Sequence, residues 1–216
     1  MNGNLTVFDD WTSLGTHLAL RARTILDNAI AQRGRAVLAL SGGRTPNHYL
    51  PSLRAQPLPW DRTIVTLIDE RFVPVDHPQS NEGLARRHGF DPCHGLRGTA
   101  PAPERAASEA SEQLAAIALP WDMAIYGLGE DGHIASLFPG LPLSADAPLC
   151  LATRAPDGSD RLSMSPTALT RFGHPLLVIG GASKRRVLDR AEAEDLPVRL
   201  LLAQPTLEIL HCTADG

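Results

Sequence analysis

The sequence predicts an α/β domain, a Rossmann-like and mostly parallel sheet with helices on both faces. Three observations carry that prediction. Short unbroken apolar runs recur along the chain, as strands buried on both faces require. They alternate with longer segments of helical periodicity, the pattern of a parallel sheet with crossover helices. Four of the runs end abruptly in the turns SGGRTP, DER, GLGEDGH and GGASK. In open α/β sheets, ligands bind beyond the carboxyl ends of the strands.

The elements follow in order. Residues 14–33 place Leu14, Leu18, Ile25, Leu26, Ala29 and Ile30 at helical spacing and predict a long amphipathic helix. AVLAL at 36–40 predicts a buried strand, after which Pro46 suits the first turn of a helix. TIVTLI at 63–68 repeats the strand pattern and runs into Asp69-Glu70-Arg71. A Pro- and Gly-studded stretch at 91–103 precedes a helix at 104–118. Further strands are expected at 123–126, 149–152 and 176–179, helices at 166–171 and 183–191, and a last strand at 207–210. No repeat, low-complexity tract or linker divides the chain, so residues 1–216 read as one domain.

Composition narrows the function. Apolar residues at 43% and charged residues at 20% are ordinary for a globular protein and exclude a disordered chain. A net charge of −4 gives no bulk attraction to nucleic acid. No apolar run is long enough to span a bilayer; the uncharged stretch 134–145 is short and broken by Pro139 and Pro142. MNGNLTVFDDW has neither the basic nor the apolar region of a signal peptide. Cys93, Cys150 and Cys212 form no C-x-x-C pair and read as packing thiols of a reducing compartment. The expectation is a cytoplasmic protein without membrane or nucleic-acid partners, as a monomer or homodimer. One imbalance stands out: 19 of the 20 basic residues are Arg and only Lys184 is Lys. A compact ammonium and a planar guanidinium fit different sites, which singles out Lys184.

Ser41-Gly42-Gly43-Arg44-Thr45-Pro46 follows a strand and opens a helix. Its glycines admit a ligand close to the backbone, and free N–H groups with the Ser41 and Thr45 hydroxyls make an anion site. A plain strand–helix turn has the same composition, and Ala39-Leu40-Ser41-Gly42-Gly43 also approaches the G-x-S-x-G nucleophile elbow of serine esterases. That elbow needs its acid and histidine from different strands, whereas Asp131 and His133 are two residues apart. Gly127-Leu128-Gly129-Glu130-Asp131-Gly132 matches G-x-G-x-x-G after a strand. Glu130 and Asp131 would put carboxylates where a pyrophosphate must approach, and a helix over 133–138 would meet Pro139-Gly140 too soon, so a dinucleotide site is rejected. The segment suits a catalytic turn better, with Asp131 orienting His133 as a general base. Asp69-Glu70-Arg71, taken alone, reads as a solvated charged turn. Arg161 and Lys184 flank later strands and can meet an anion, while Arg185 and Arg186 read as a solvated face. No metal-ligand spacing such as H-E-x-x-H occurs.

Together LALSGGRTP, TLIDERFVP with HPQSN, WDMAIYGLGEDGHIASLFPG and VIGGASKRRVL resemble the 6-phosphogluconolactonase family. That family belongs with the glucosamine-6-phosphate deaminases in one sugar-phosphate superfamily. The resemblance runs over nearly the whole chain and implies a Rossmann-like fold and hydrolysis of 6-phosphogluconolactone, the second step of the oxidative pentose phosphate pathway, without metal or redox cofactor. It further implies that Ser41, Gly42, Gly43, Arg44 and Thr45 hold the 6-phosphate with Arg161 and Lys184. His133 would activate water beside Asp131, Arg71 would position substrate or stabilise negative charge, and Asp69 and Glu130 would line the site. Two departures matter. Ile209-Leu210-His211-Cys212 stands where relatives commonly carry aromatic residues. Phe138 stands where the deaminase turn leads to a glutamate, which favours lactone hydrolysis over the deaminase alternative; Asp69 does match the deaminase's proton-abstracting aspartate. A sugar-phosphate sensor without catalysis would need only the anion turn, not the Asp131–His133 pair.

Overall fold

The computed structural model describes residues 4–142, 144 and 146–215; positions 143 and 145 of the apolar stretch 134–145 lie outside it. In chain order the elements are β1 (Asn4–Phe8), α1 (Trp11–Arg33), β2 (Ala36–Leu40), α2 (Leu50–Arg54), β3 (Thr63–Leu67), β4 (Asp69–Arg71), α3 (Asn81–Arg87) and α4 (Pro103–Ala116). There follow β5 (Trp121–Tyr126), β6 (Cys150–Arg154), β7 (Asp160–Met164), α5 (Pro166–Leu169), β8 (Phe172–Gly180), α6 (Gly181–Arg190), α7 (Arg199–Leu202) and β9 (Glu208–Cys212). The helix α1 begins where Asp10 Oδ1 accepts from the Ser13 N–H at 2.8 Å. It packs Leu14, Leu18, Ala22, Ile25, Leu26 and Ala29 into the core, the face that its periodicity predicts.

Six strands form one sheet in the order β1-β9-β8-β5-β2-β3, and every neighbouring pair is parallel. All residues of β2 and β5 are buried, so both faces of the sheet are covered there; this is why these strands read as continuous apolar runs. The chain passes from β2 to β3 on one side, and β5 then pairs with the other side of β2. The carboxyl ends of β2 and β5 therefore flank the topological switch point, where a ligand crevice opens. No helix among the described residues is long and apolar enough to cross a membrane.

The second sheet was not expected. β4, β7 and β6 form a three-stranded antiparallel sheet in that order, against which α4 packs. The expected strand at 149–152 is thus β6 of this small sheet and not part of the parallel one. The charged triplet Asp69-Glu70-Arg71 is likewise not a solvated turn, because it forms β4 with Asp69 and Glu70 buried. β7 lacks a continuous apolar run, beginning with Asp160 and Arg161, and the edge strand β1 (Asn4–Phe8) is exposed at four of its five residues. Ile68 joins the two sheets, since its N–H donates to Leu40 O (2.9 Å) and its carbonyl accepts from the Met164 N–H (2.8 Å).

Candidate active site

Four chain segments converge at the switch point around a cavity of about 230 Å³. The Ser41–Thr45 turn after β2 and the Gly127–His133 turn after β5 form two walls; β4 with Asn81, and Lys184 of α6, complete it.

The turn after β2 has the makings of an anion site. The Ser41 N–H is spent on the Ile125 carbonyl at 3.1 Å, which extends the β2–β5 pairing by one residue. Beyond it, the N–H groups of Gly42, Gly43, Arg44 and Thr45 have no acceptor among the described residues. The expected helix starts as a single 3-10 turn, Thr45–His48, with Pro46 in its first turn, and continues into α2 after Tyr49. Lys184, in the first turns of α6, reaches the same wall. Desolvation holds its ammonium below the ordinary lysine value, an effect that Glu130 opposes and Arg44 reinforces. A half-buried ammonium beside an arginine and a row of free N–H groups is an arrangement that a bound dianion would relieve.

The turn after β5 is built for contact between backbone and imidazole. The Gly129 N–H donates to the His133 carbonyl at 2.9 Å, closing the turn. A Cβ on Gly129 would lie 2.1 Å from His133 Nδ1, so a side chain there would displace the ring. Asp131 Oδ1 accepts from the His133 N–H at 3.2 Å and lies 2.6 Å from His133 Nδ1. With Nδ1–H donated to the carboxylate, the Nε2 lone pair is the free one. The stretch after His133 is not helical: Ala135 has φ +53° and Ile134 bridges Leu137. The Phe138 ring centroid lies 4.9 Å from that of the imidazole.

The third wall comes from the small sheet. Asp69 and Arg71 both line the cavity; Asp69 Oδ2 accepts from the Ser136 hydroxyl at 2.7 Å, and Arg71 Nη1 donates to Asn81 Oδ1 at 2.9 Å. Arg161, expected at the anion turn, is the cross-strand partner of Arg71 and is not among the cavity-lining residues. Burial and the neighbouring Arg71 charge both pull its guanidinium down, opposed by Asp157, Asp69 and Glu70. Glu130 is exposed and stands outside the lining, where it acts on Lys184 electrostatically. Asp131 is also outside the lining and reaches it through His133. Asn81 is the residue the sequence analysis missed. Its only local sign is Ser80 at a helix N-cap within the HPQSN segment, with no hint that the next side chain turns inward.

Known proteins share this arrangement of elements. Residues 9–209 match the family model described as glucosamine-6-phosphate isomerases/6-phosphogluconolactonase. The 6-phosphogluconolactonase of Pseudomonas aeruginosa is 40% identical over 205 residues, which cover 87% of this chain and 86% of that protein. That of Mesorhizobium japonicum is 36% identical over 214 residues, covering 92% and 90%. The crystal structure of a 6-phosphogluconolactonase from Shewanella baltica superposes with a TM-score of 0.91 at 29% identity, covering 97% of each chain. The chain belongs to the glucosamine-6-phosphate isomerase/6-phosphogluconolactonase family.

Proposed function

We propose that this protein hydrolyses 6-phosphoglucono-1,5-lactone to 6-phosphogluconate. One observation carries the proposal. A single cavity joins an anion turn, with Arg44 and Lys184 beside it, to a hydrogen-bonded Asp131–His133 pair facing Arg71. In this reading the 6-phosphate occupies the Ser41–Thr45 turn and fixes the sugar by its far end, turning remote binding energy into orientation at the lactone carbonyl. His133 Nε2 takes a proton from the attacking water, and Asp131 stabilises the resulting imidazolium. Arg71 or turn N–H groups face the oxygen that becomes negative at the tetrahedral stage. The bond between the carbonyl carbon and the ring oxygen then breaks, the imidazolium returns its proton to that oxygen, and the open acid leaves. Arg161 acts through Arg71, and Asp69 faces the sugar hydroxyls. Every step uses groups of this chain and calls on no metal or redox cofactor.

The 216 residues act as one domain in the cytoplasm, as a monomer or homodimer, with a small sugar phosphate as partner and neither nucleic acid nor membrane. The test is formation of 6-phosphogluconate from the lactone, measured above the spontaneous background, with and without a chelator. Chelator-insensitive turnover supports the reading. A stoichiometric covalent adduct at Ser41 would move it to a serine esterase, and comparable ammonia release from glucosamine 6-phosphate would move it to the deaminase branch of the family.

A further inference from the structure

Glu70 is a buried carboxylate to which the reaction gives no part. It is 1% exposed, yet it is one of the best-bonded groups in the molecule. Its Oε1 accepts from the N–H groups of Arg71 and Asn81, both at 2.7 Å. Its Oε2 accepts from the Glu82 N–H at 2.8 Å and the Ser80 hydroxyl at 3.0 Å. Four donors converge on one side chain, three of them at the N-terminus of α3, where free N–H groups and the helix dipole favour an anion. This ties the far end of the 72–80 loop back to β4 and fixes the backbone at Asn81.

The fixed backbone aims the Asn81 side chain at the cavity. Its Nδ2 donates to the Asp69 carbonyl at 2.8 Å, and its Oδ1 accepts from Arg71 Nη1 at 2.9 Å. A carbonyl on one side and a guanidinium on the other permit only one amide orientation. Asn81 also lies directly over the phosphate turn: a Cβ on Gly42 would come within 1.7 Å of Asn81 Oδ1. Arg71 needs such a restraint, because its cross-strand partner is another arginine, Arg161. Nη1 is the Arg71 nitrogen with acceptors among the described residues, Asn81 Oδ1 and the Gln79 carbonyl, which leaves Nε and Nη2 for a ligand.

We propose that Asn81, anchored through Glu70, is a positioning residue that holds the Arg71 guanidinium at a set distance from the phosphate turn. This rests on the lactonase reading of the same cavity. It adds that the spacing between the phosphate end and the oxyanion end is set by Asn81 packing on Gly42.

The experiment compares wild type, Asn81→Leu and Asn81→Asp, each also in an Arg71→Ala background. Leu keeps the bulk over Gly42 and loses the acceptor, whereas Asp keeps the acceptor. Lactone kcat and KM are measured, with calorimetric affinities for 6-phosphogluconate and inorganic phosphate. Asn81→Leu is expected to lower kcat about ten- to hundredfold, the range for a hydrogen bond to a charged group. Inorganic phosphate should bind unchanged, and in the Arg71→Ala background the same substitution should cost less than about twofold, because the two residues act as one unit. Asn81→Asp keeps the acceptor for Arg71 but loses the donor to the Asp69 carbonyl, so it should recover part of the kcat lost in Asn81→Leu. A full additional loss in the Arg71→Ala background, or wild-type kcat in Asn81→Leu, overturns the proposal. If Asn81→Leu does not fold, Asn81→Asp decides it: a kcat clearly above that of Arg71→Ala supports the role, and a loss as large as that of Arg71→Ala ends it. A wild type inactive on the lactone would sink the functional reading and leave this one to the binding data. There, a loss of 6-phosphogluconate affinity with inorganic phosphate unaffected supports the Arg71 clamp, and an equal effect on both ligands refutes it.

Discussion

In the proposed reaction His133 and Lys184 have separate roles, and each gives a separate measurement. His133 is held by Asp131 through one ring nitrogen, and in the proposed reaction the other takes the proton of water. Replacing it with Gln keeps the bulk and removes the base, so kcat should fall about 10²- to 10⁴-fold with product affinity nearly intact. Asp131→Asn should cost less, since that side chain orients and stabilises the imidazole without accepting the water proton. A folded His133→Gln enzyme that keeps half the wild-type rate above background would return the catalysis to phosphate anchoring and oxyanion stabilisation. Lys184, which lines the cavity, is assigned to binding in the same proposal. Its loss in Lys184→Ala should raise KM for the phosphorylated lactone about ten- to hundredfold and leave an unphosphorylated lactone unchanged. The pH dependence has a definite sign. Desolvation lowers the pKa of Lys184, so the ammonium is lost at a lower pH than in a free lysine, and 6-phosphogluconate affinity should fall correspondingly early as pH rises. Lys184→Arg stays charged throughout, so its affinity should lack that alkaline decline in a calorimetric pH series.

Among the elements, α3 is the one whose start serves the site. Ser80 Oγ accepts from the Gly83 N–H at 3.0 Å as N-cap and donates to Glu70 at the same length. Ser80→Ala removes both bonds in a buried setting and should cost about 1–2 kcal/mol, read as a lower urea midpoint at constant m-value. An unchanged midpoint would mean that Glu70 and the sheet hold α3 without its cap. Legibility follows the same line. α1, β2, β3, β5 and β8 were readable because each satisfies its own backbone locally or buries a continuous apolar run. β4 and β7 were not, because Asp69, Glu70, Arg71, Asp160 and Arg161 look solvent-bound until their partners are known. The Ser41–Thr45 turn and the Asp131–His133 turn were legible for the same reason, as each is assembled within a few residues. Asn81 was not, since its role arises from contacts with Asp69 and Arg71, ten or more residues away.

At the scale of the molecule, Ile68 hydrogen-bonds to both sheets and the cavity takes residues from each, so the sheets should not separate on unfolding. Calorimetry should record one transition with calorimetric and van't Hoff enthalpies in agreement. 6-Phosphogluconate at a hundred times its Kd should add about 2.7 kcal/mol to stability, with a matching rise in Tm. Two resolved transitions, only one of them ligand-sensitive, would show the small antiparallel sheet to be an independent unit.

The sequence by itself determined the parallel sheet, the two glycine-bearing turns at the ends of β2 and β5 and the neighbouring pair Asp131 and His133. Those features depend on apolar runs, glycine and residues close in the chain, whose physics is local. Only the tertiary structure decided that DER is a largely buried strand, that 150–154 leaves the parallel sheet, and that Asn81 stands between the Ser41–Thr45 turn and Arg71. A buried carboxylate such as Glu70 is tolerable only where donors converge on it, and its donors come from Arg71 and from residues 80–82, across a loop. No window of sequence contains that convergence; it exists once the chain has folded back on itself.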